Sequence, residues 1–199
     1  MRLLLRAALA CWATLLGSLA PAQPRSSNAI LELPNGKVNR LASPDRQYVL
    51  YLKWDRGNPN TGPELWIENR RTADRRIVLA LGRTARAAWS TDSTSFYVND
   101  ELASSETLSY LYDPSTLTRV NIQKRIVAAD PEAPRLQNAH AYFEVQRWES
   151  SRSLLVDLFG HIDVPPVRCF KRRYRVSRAG KVQKLGGRTM AVTDRACRG

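Results

Sequence analysis

The stretch "SPDRQYVLYLKWD" (Ser43–Asp55) opens on a Ser-x-Asp triplet and runs into six residues rich in aromatic and apolar side chains. A second stretch, "AAWSTDSTSFYVND" (Ala87–Asp100), has the same grammar, with Ser90-Thr91-Asp92 placed 47 residues after Ser43-Pro44-Asp45. An Asp side chain can accept a hydrogen bond from its own backbone two residues on, and Pro44 presets a turn dihedral. Each triplet therefore predicts a corner that launches a strand, and catalysis by these residues is not expected.

Working outward, "YVLYLKW" (Tyr48–Trp54), "ELWIE" (Glu64–Glu68) and "RRIVLAL" (Arg75–Leu81) are strand-length runs separated by breaker-rich loops. The order repeats with "SFYVND", "TLSYLYD" and "LTRVNI" (Ser95 to Ile122), and "ENRRT" (Glu68–Thr72) precedes "YDPST" (Tyr112–Thr116) by 44 residues. Several strands per period of forty-odd residues is the signature of propeller blades. "YFEVQRW" (Tyr142–Trp148), "SLLVDLFGH" (Ser153–His161), "CFKRRYRVS" (Cys169–Ser177) and "KVQKL" (Lys181–Leu185) make a weaker third unit, after an insertion whose prolines suit a loop or one short helix. No segment shows a sustained helical period. The expected fold is all-β: about three blade-like units of short antiparallel strands over residues 41–199, preceded by a segment at 23–40.

Within this pattern, "SPDRQYVLY" with "ELWIENRRTADRRIV", and "WSTDSTSFYV" with "SYLYDPSTLTRV", resemble the TolB-type WD-like propeller repeat. The resemblance covers roughly residues 41–122, with a degenerate copy to about 185. It departs from the family where Arg46 and Ser93 replace a glycine, Thr91 replaces Pro44, and Ala42 stands opposite Trp89. Three blades cannot close a ring, since propellers have at least four. The chain must cap its open ends, stack its sheets, or complete the ring as a homodimer. Peptidase members of the family carry their catalytic apparatus in a separate hydrolase domain that has no counterpart here.

The first 22 residues combine Arg2 and Arg6, an apolar run of about 14 residues and Ala20-Pro21-Ala22, the pattern of a cleaved secretory signal. The run is short of the roughly 20 residues that a membrane span requires. Lipidation at Cys11 is the alternative use of this segment. The expected location is periplasmic or secreted, where Cys169 and Cys197 are expected to form one disulfide. Closing that loop would contribute about 3 kcal/mol by chain entropy.

The net charge of +13 is unevenly spread: residues 168–199 hold eleven Lys or Arg against a single acid, Asp194, while residues 23–167 hold 18 bases and 17 acids. In "CFKRRYRV", strand alternation places Lys171, Arg173 and Arg175 on one face. Lys181, Lys184 and Arg188 extend this ladder if the next strand folds back. Such a ladder suits an anionic polymer, a lipid surface or an acidic envelope protein, or it protects an edge strand from aggregation. Export removes intracellular nucleic acid from the candidate partners. With two histidines, His140 and His161, no metal-ligand spacing arises. No nucleophile elbow, phosphate loop or cofactor motif is present. The expected function is that of an exported, non-catalytic binding or scaffold protein of the cell envelope. The alternative is a secreted enzyme with a site around His161, Asp157 and Asp163.

Overall fold

A computed structural model describes residues 29–33, 39–54, 62–104, 106–133, 140–162 and 168–191. The signal-like segment, Asp163 and Cys197 lie outside the described residues. Three antiparallel meanders follow one another along the chain. The first is β2 (Arg40–Ala42), β3 (Tyr48–Lys53), β4 (Glu64–Asn69) and β5 (Arg75–Ala80), paired in that order. The second is β6 (Thr84–Trp89), β7 (Phe96–Ala103), β8 (Glu106–Tyr112) and the short β9 (Arg119–Asn121). The third is β10 (His140–Ser150), β11 (Ser153–Ile162), β12 (Arg168–Ser177) and β13 (Val182–Ala191). The fold is a stack of propeller-like blades that does not close.

The two corners read from the sequence are built alike. Ser43 Oγ donates to Asp45 Oδ1 and accepts from Tyr48 N–H, while Gln47 N–H donates to Asp45 Oδ1. In the second copy Ser90 Oγ donates to Asp92 Oδ1 and accepts from Ser95 N–H, while Thr94 N–H donates to Asp92 Oδ1. Arg46 and Ser93, at the positions where the family repeat has glycine, both take left-handed backbone angles, φ 62° and 60°. The second turns also match: Ala73 and Leu117 are left-handed, and Asn69 and Asp113 each accept two backbone N–H groups. In the third unit Ser150 and Ser153, joined Oγ to Oγ at 2.8 Å, replace the triplet.

Between the second and third meanders, the insertion forms α1 (Ile122–Ala129). Asn121 caps it by accepting from Lys124 N–H, and Ile122 and Ile126 are its buried side.

Alternation along the middle sheet gives each of its faces a core. Trp89, Phe96, Val98 and Tyr112 pack on Leu50, Leu65 and Ile67 of the first sheet. Tyr97 and Leu111 on the other face pack with Phe143, Val145, Val156 and Tyr174 of the third sheet and with α1. Each such side chain taken fully out of water contributes about 2–3 kcal/mol. A tryptophan fixes the spacing at both interfaces: Trp89 Nε1 donates to Leu41 O at 3.1 Å, and Trp148 Nε1 donates to Ala88 O at 3.3 Å. Leu41 and Ala88 are themselves equivalent, each two residues before its corner serine. Trp148 is thus the third-unit counterpart of Trp89, pairing with Leu154 six residues on where Trp89 pairs with Phe96 seven residues on. At the second interface Asn99 also bonds both backbone groups of Val145, and Ser109 Oγ donates to Phe143 O.

Two features depart from the sequence reading. Segment 23–40 is not wholly outside the sheets: β1 (Leu31–Leu33) pairs antiparallel with β6 and buries Leu31 and Leu33. The inner edge of the middle sheet is thereby covered. The third meander is not an isolated blade either, because β10 pairs in parallel with β8 at Ala141 and Tyr142. No helix among the described residues is long and apolar enough to cross a membrane.

Candidate anion-binding face

The alternation of β12 is realised as read: Lys171, Arg173 and Arg175 are exposed, while Phe170, Arg172, Tyr174 and Val176 are buried. The cations differ sharply in their surroundings. Arg173 grips Asp157 of β11 with two hydrogen bonds, Nε to Oδ1 at 2.6 Å and the terminal nitrogen to Oδ2 at 2.9 Å. Arg175 grips Glu149 of β10 in the same way, at 2.5 and 3.3 Å. These carboxylates raise both guanidinium pKa values above the usual range, and Arg175 holds that of Glu149 below it. Lys171 makes no ion pair with a described residue, and its cross-strand partner on β13 is Arg188. Two rungs of the ladder are neutralised, and its charge is concentrated at Lys171 and Arg188.

Lys184 does not join this face. A bulge in the β12–β13 register sets Arg173 opposite Gly186 but Tyr174 opposite Lys184, so Leu185 is the extra residue. The shift turns Lys184 to the Tyr174 side, where its Nζ lies 3.1 Å from Asp130 and 3.3 Å from Glu132. Tyr174 Oη donates to Asp130 Oδ2 at 2.7 Å, and Arg172 pairs with Asp130 and Glu132. Burial raises the Asp130 pKa, but hydrogen bonds from Tyr174, the Glu132 amide and Lys184 outweigh it and leave the value low. This cluster clamps the end of α1 to β12 and β13. Lys181 is exposed in the turn ahead of β13, its carbonyl accepting from Ser177 N–H.

Beside Lys171 lies a groove of about 440 Å³ lined by Tyr142, Asp157, Phe159, His161 and Met190. Across the β10–β11 pair the Tyr142 and Phe159 rings stack at 5.2 Å, and those of His140 and His161 at 4.5 Å. Gly160 is required here because a Cβ would sit 1.7 Å from the His140 carbonyl oxygen. Glu144 stands opposite Asp157, and burial raises its pKa against the pull of Arg86. Of the residues of the enzymatic alternative, Asp157 and His161 line this one groove, and Asp163 lies outside the described residues. His161 and Asp157 lie four residues apart on one strand, about 13 Å at strand rise, and Asp157 is held by Arg173. Among the described residues no group of three His, Cys, Asp or Glu side chains could hold a metal ion. Cys169 is buried on β12.

Sequence reading missed Glu149 on the cationic face and Asp130 and Glu132 on the other, and it took Asp157 as a catalytic candidate where the structure makes it the partner of Arg173. One signal was present, since Arg172 falls on the apolar side of its strand and a buried guanidinium requires a carboxylate. Which carboxylate depends on where α1 docks.

No family model and no curated protein matches the sequence. Among solved structures, the propeller domain of the Trilobed protease from Pyrococcus furiosus is 16% identical, with 74% of this chain and 43% of that one covered at a TM-score of 0.46. A TolB protein from Agrobacterium tumefaciens is 12% identical over 75% of this chain and 49% of its own, at 0.42. Pyrococcus horikoshii acylaminoacyl peptidase is 13% identical over 73% and 23%, at 0.41. The chain spans less than half the length of each of these. The solved structures that the chain is similar to thus include both a TolB protein and peptidase propellers.

Proposed function

We propose that the chain is an exported, non-catalytic β-repeat binding module of the cell envelope, and that its third sheet engages an anionic partner. One observation carries the reading: Lys171 and Arg188 are directly opposed across β12 and β13, and among the described residues no carboxylate forms an ion pair with Lys171. Like charges placed opposite each other destabilise a strand pair, and an anion bound between them removes the penalty. The signal-like leader and the acid-free stretch from Val164 to Thr193 agree with this reading. An exported chain would also suit the expected pairing of Cys169 with Cys197.

Retention on immobilised dextran sulfate tests it. The double variant Lys171→Gln/Arg188→Gln should elute at clearly lower salt, with a shallower dependence on ionic strength, than the equally neutralised Arg70→Gln/Arg71→Gln in the turn between β4 and β5. Equal elution of the two variants would sink the assignment.

The open outer face of the first sheet favours a second reading, in which a second copy extends the stack. Tyr51 and Trp66 are cross-strand neighbours there, Ile77 follows at 49% exposure, and Arg40 and Lys53 lie over the two rings. A monomer by light scattering would remove this reading.

A further inference from the structure

Among the described residues, β13 is the end strand of the nine-stranded sheet formed by the second and third meanders with β1, and it pairs with β12 alone. Residues 183–189 are all exposed, so one row of backbone N–H and C=O groups along that edge faces outward. Long exposed edges are templates for further pairing, and proteins usually shorten them or break them with proline. β13 is ten residues long and contains no proline.

Its two glycines have different origins. Gly187 is dictated from within, because its φ is +158° and a Cβ would stand 2.6 Å from Arg172 Cγ. Gly186 is not: a Cβ there would meet nothing within 4 Å, and its φ is not in the left-handed range. Glycine inside a strand costs stability and marks places where another backbone approaches closely. None of the described residues approaches Gly186. It borders an open groove of about 510 Å³ lined also by Lys171, Arg173, Leu185 and Arg188. Leu185 is 40% exposed there, an apolar side chain among cations.

We infer that β13 is a docking edge onto which an acidic, extended segment of another protein adds as a further strand. Backbone hydrogen bonds supply the pairing, Gly186 admits the incoming backbone, and Lys171 with Arg188 selects carboxylates. The inference deepens the anionic-partner reading by naming both the partner class and the mode of contact, and it rests on that reading for the choice of an acidic partner.

The probe is a ten-residue peptide of alternating Glu and Val with blocked ends. Adding it to the full protein should slow amide exchange at residues 183–189 at least tenfold. Gly186→Val should leave the melting temperature unchanged or higher, because the space is empty and valine favours strands, yet weaken the peptide at least tenfold. Binding without slowed exchange, undiminished binding by Gly186→Val, or no binding at millimolar peptide would overturn the inference. Dextran sulfate has no amide edge to pair, so its retention should survive Gly186→Val. Loss of the charge effect on dextran sulfate with β13 protection intact would strike the polyanion reading alone.

Discussion

Asp100 on β7 is 1% exposed, and its Oδ1 has no hydrogen-bond partner among the described residues. Burial pushes its carboxyl pKa from 3.8 up to about 6; Arg119 opposes the rise and Glu101 adds to it. Tyr110 and Tyr112 share this face of the middle sheet with it. Because the folded-state value lies above the unfolded one, the folded protein binds the proton more tightly. Stability is therefore lost as pH rises from about 4 through 6 and levels off above the folded value. A gap of about two units corresponds to roughly 2–3 kcal/mol. Asp100→Asn keeps the shape and removes the ionisation. Urea unfolding at pH 4, 6 and 7.5 should show the variant matching the wild type at pH 4 and exceeding it by about 2 kcal/mol at pH 7.5. A difference that does not change with pH would refute the reasoning, since a packing effect of the amide carries no proton.

Other outcomes follow from the same geometry. Trp148→Phe should cost about 1–2 kcal/mol by orphaning the partly buried Ala88 carbonyl, and urea melts should show the same for Trp89→Phe at Leu41. Asp130→Ala leaves buried Arg172 with Glu132 alone and removes the acceptor of Tyr174; a loss of about 3 kcal/mol is expected by chemical denaturation. Arg46→Gly relieves an exposed left-handed residue and should raise stability by about 1 kcal/mol, read as a higher melting temperature. Gly160→Ala should disrupt the β10–β11 pairing and appear as lost soluble yield.

The parts of the fold that were legible in the sequence are those specified locally. A corner serine, its aspartate and the following strand lie within a few residues, so Ser43 and Ser90 announce two sheets without knowledge of anything distant. The alternation of β12 is local in the same sense, and it separated Lys171, Arg173 and Arg175 from Phe170 and Tyr174 correctly. What escaped is non-local or a matter of register. The pairing of Leu31–Leu33 with Ala85–Ala87 joins segments that share no pattern. A single bulged residue, Leu185, inverted the face of Lys184. Arg173 and Arg175 found carboxylates on neighbouring strands, which no spacing in the chain reveals.

The pairing of β1 with β6 also has a consequence for how the molecule comes apart. It closes a loop of roughly 50 residues that contains the entire first sheet, at an entropic cost of about 3–4 kcal/mol that three paired residues cannot meet by themselves. The closure becomes favourable only once the loop has condensed into β2–β5 and stacked Leu50 and Leu65 on Trp89 and Phe96. The first two sheets therefore form one cooperative unit, in which fraying of β1 and loosening of the first sheet are the same event. The third meander, joined to the middle sheet by a two-residue parallel register, by side-chain bonds from Asn99 and Ser109 and by the core around Tyr97 and Phe143, lies outside that loop.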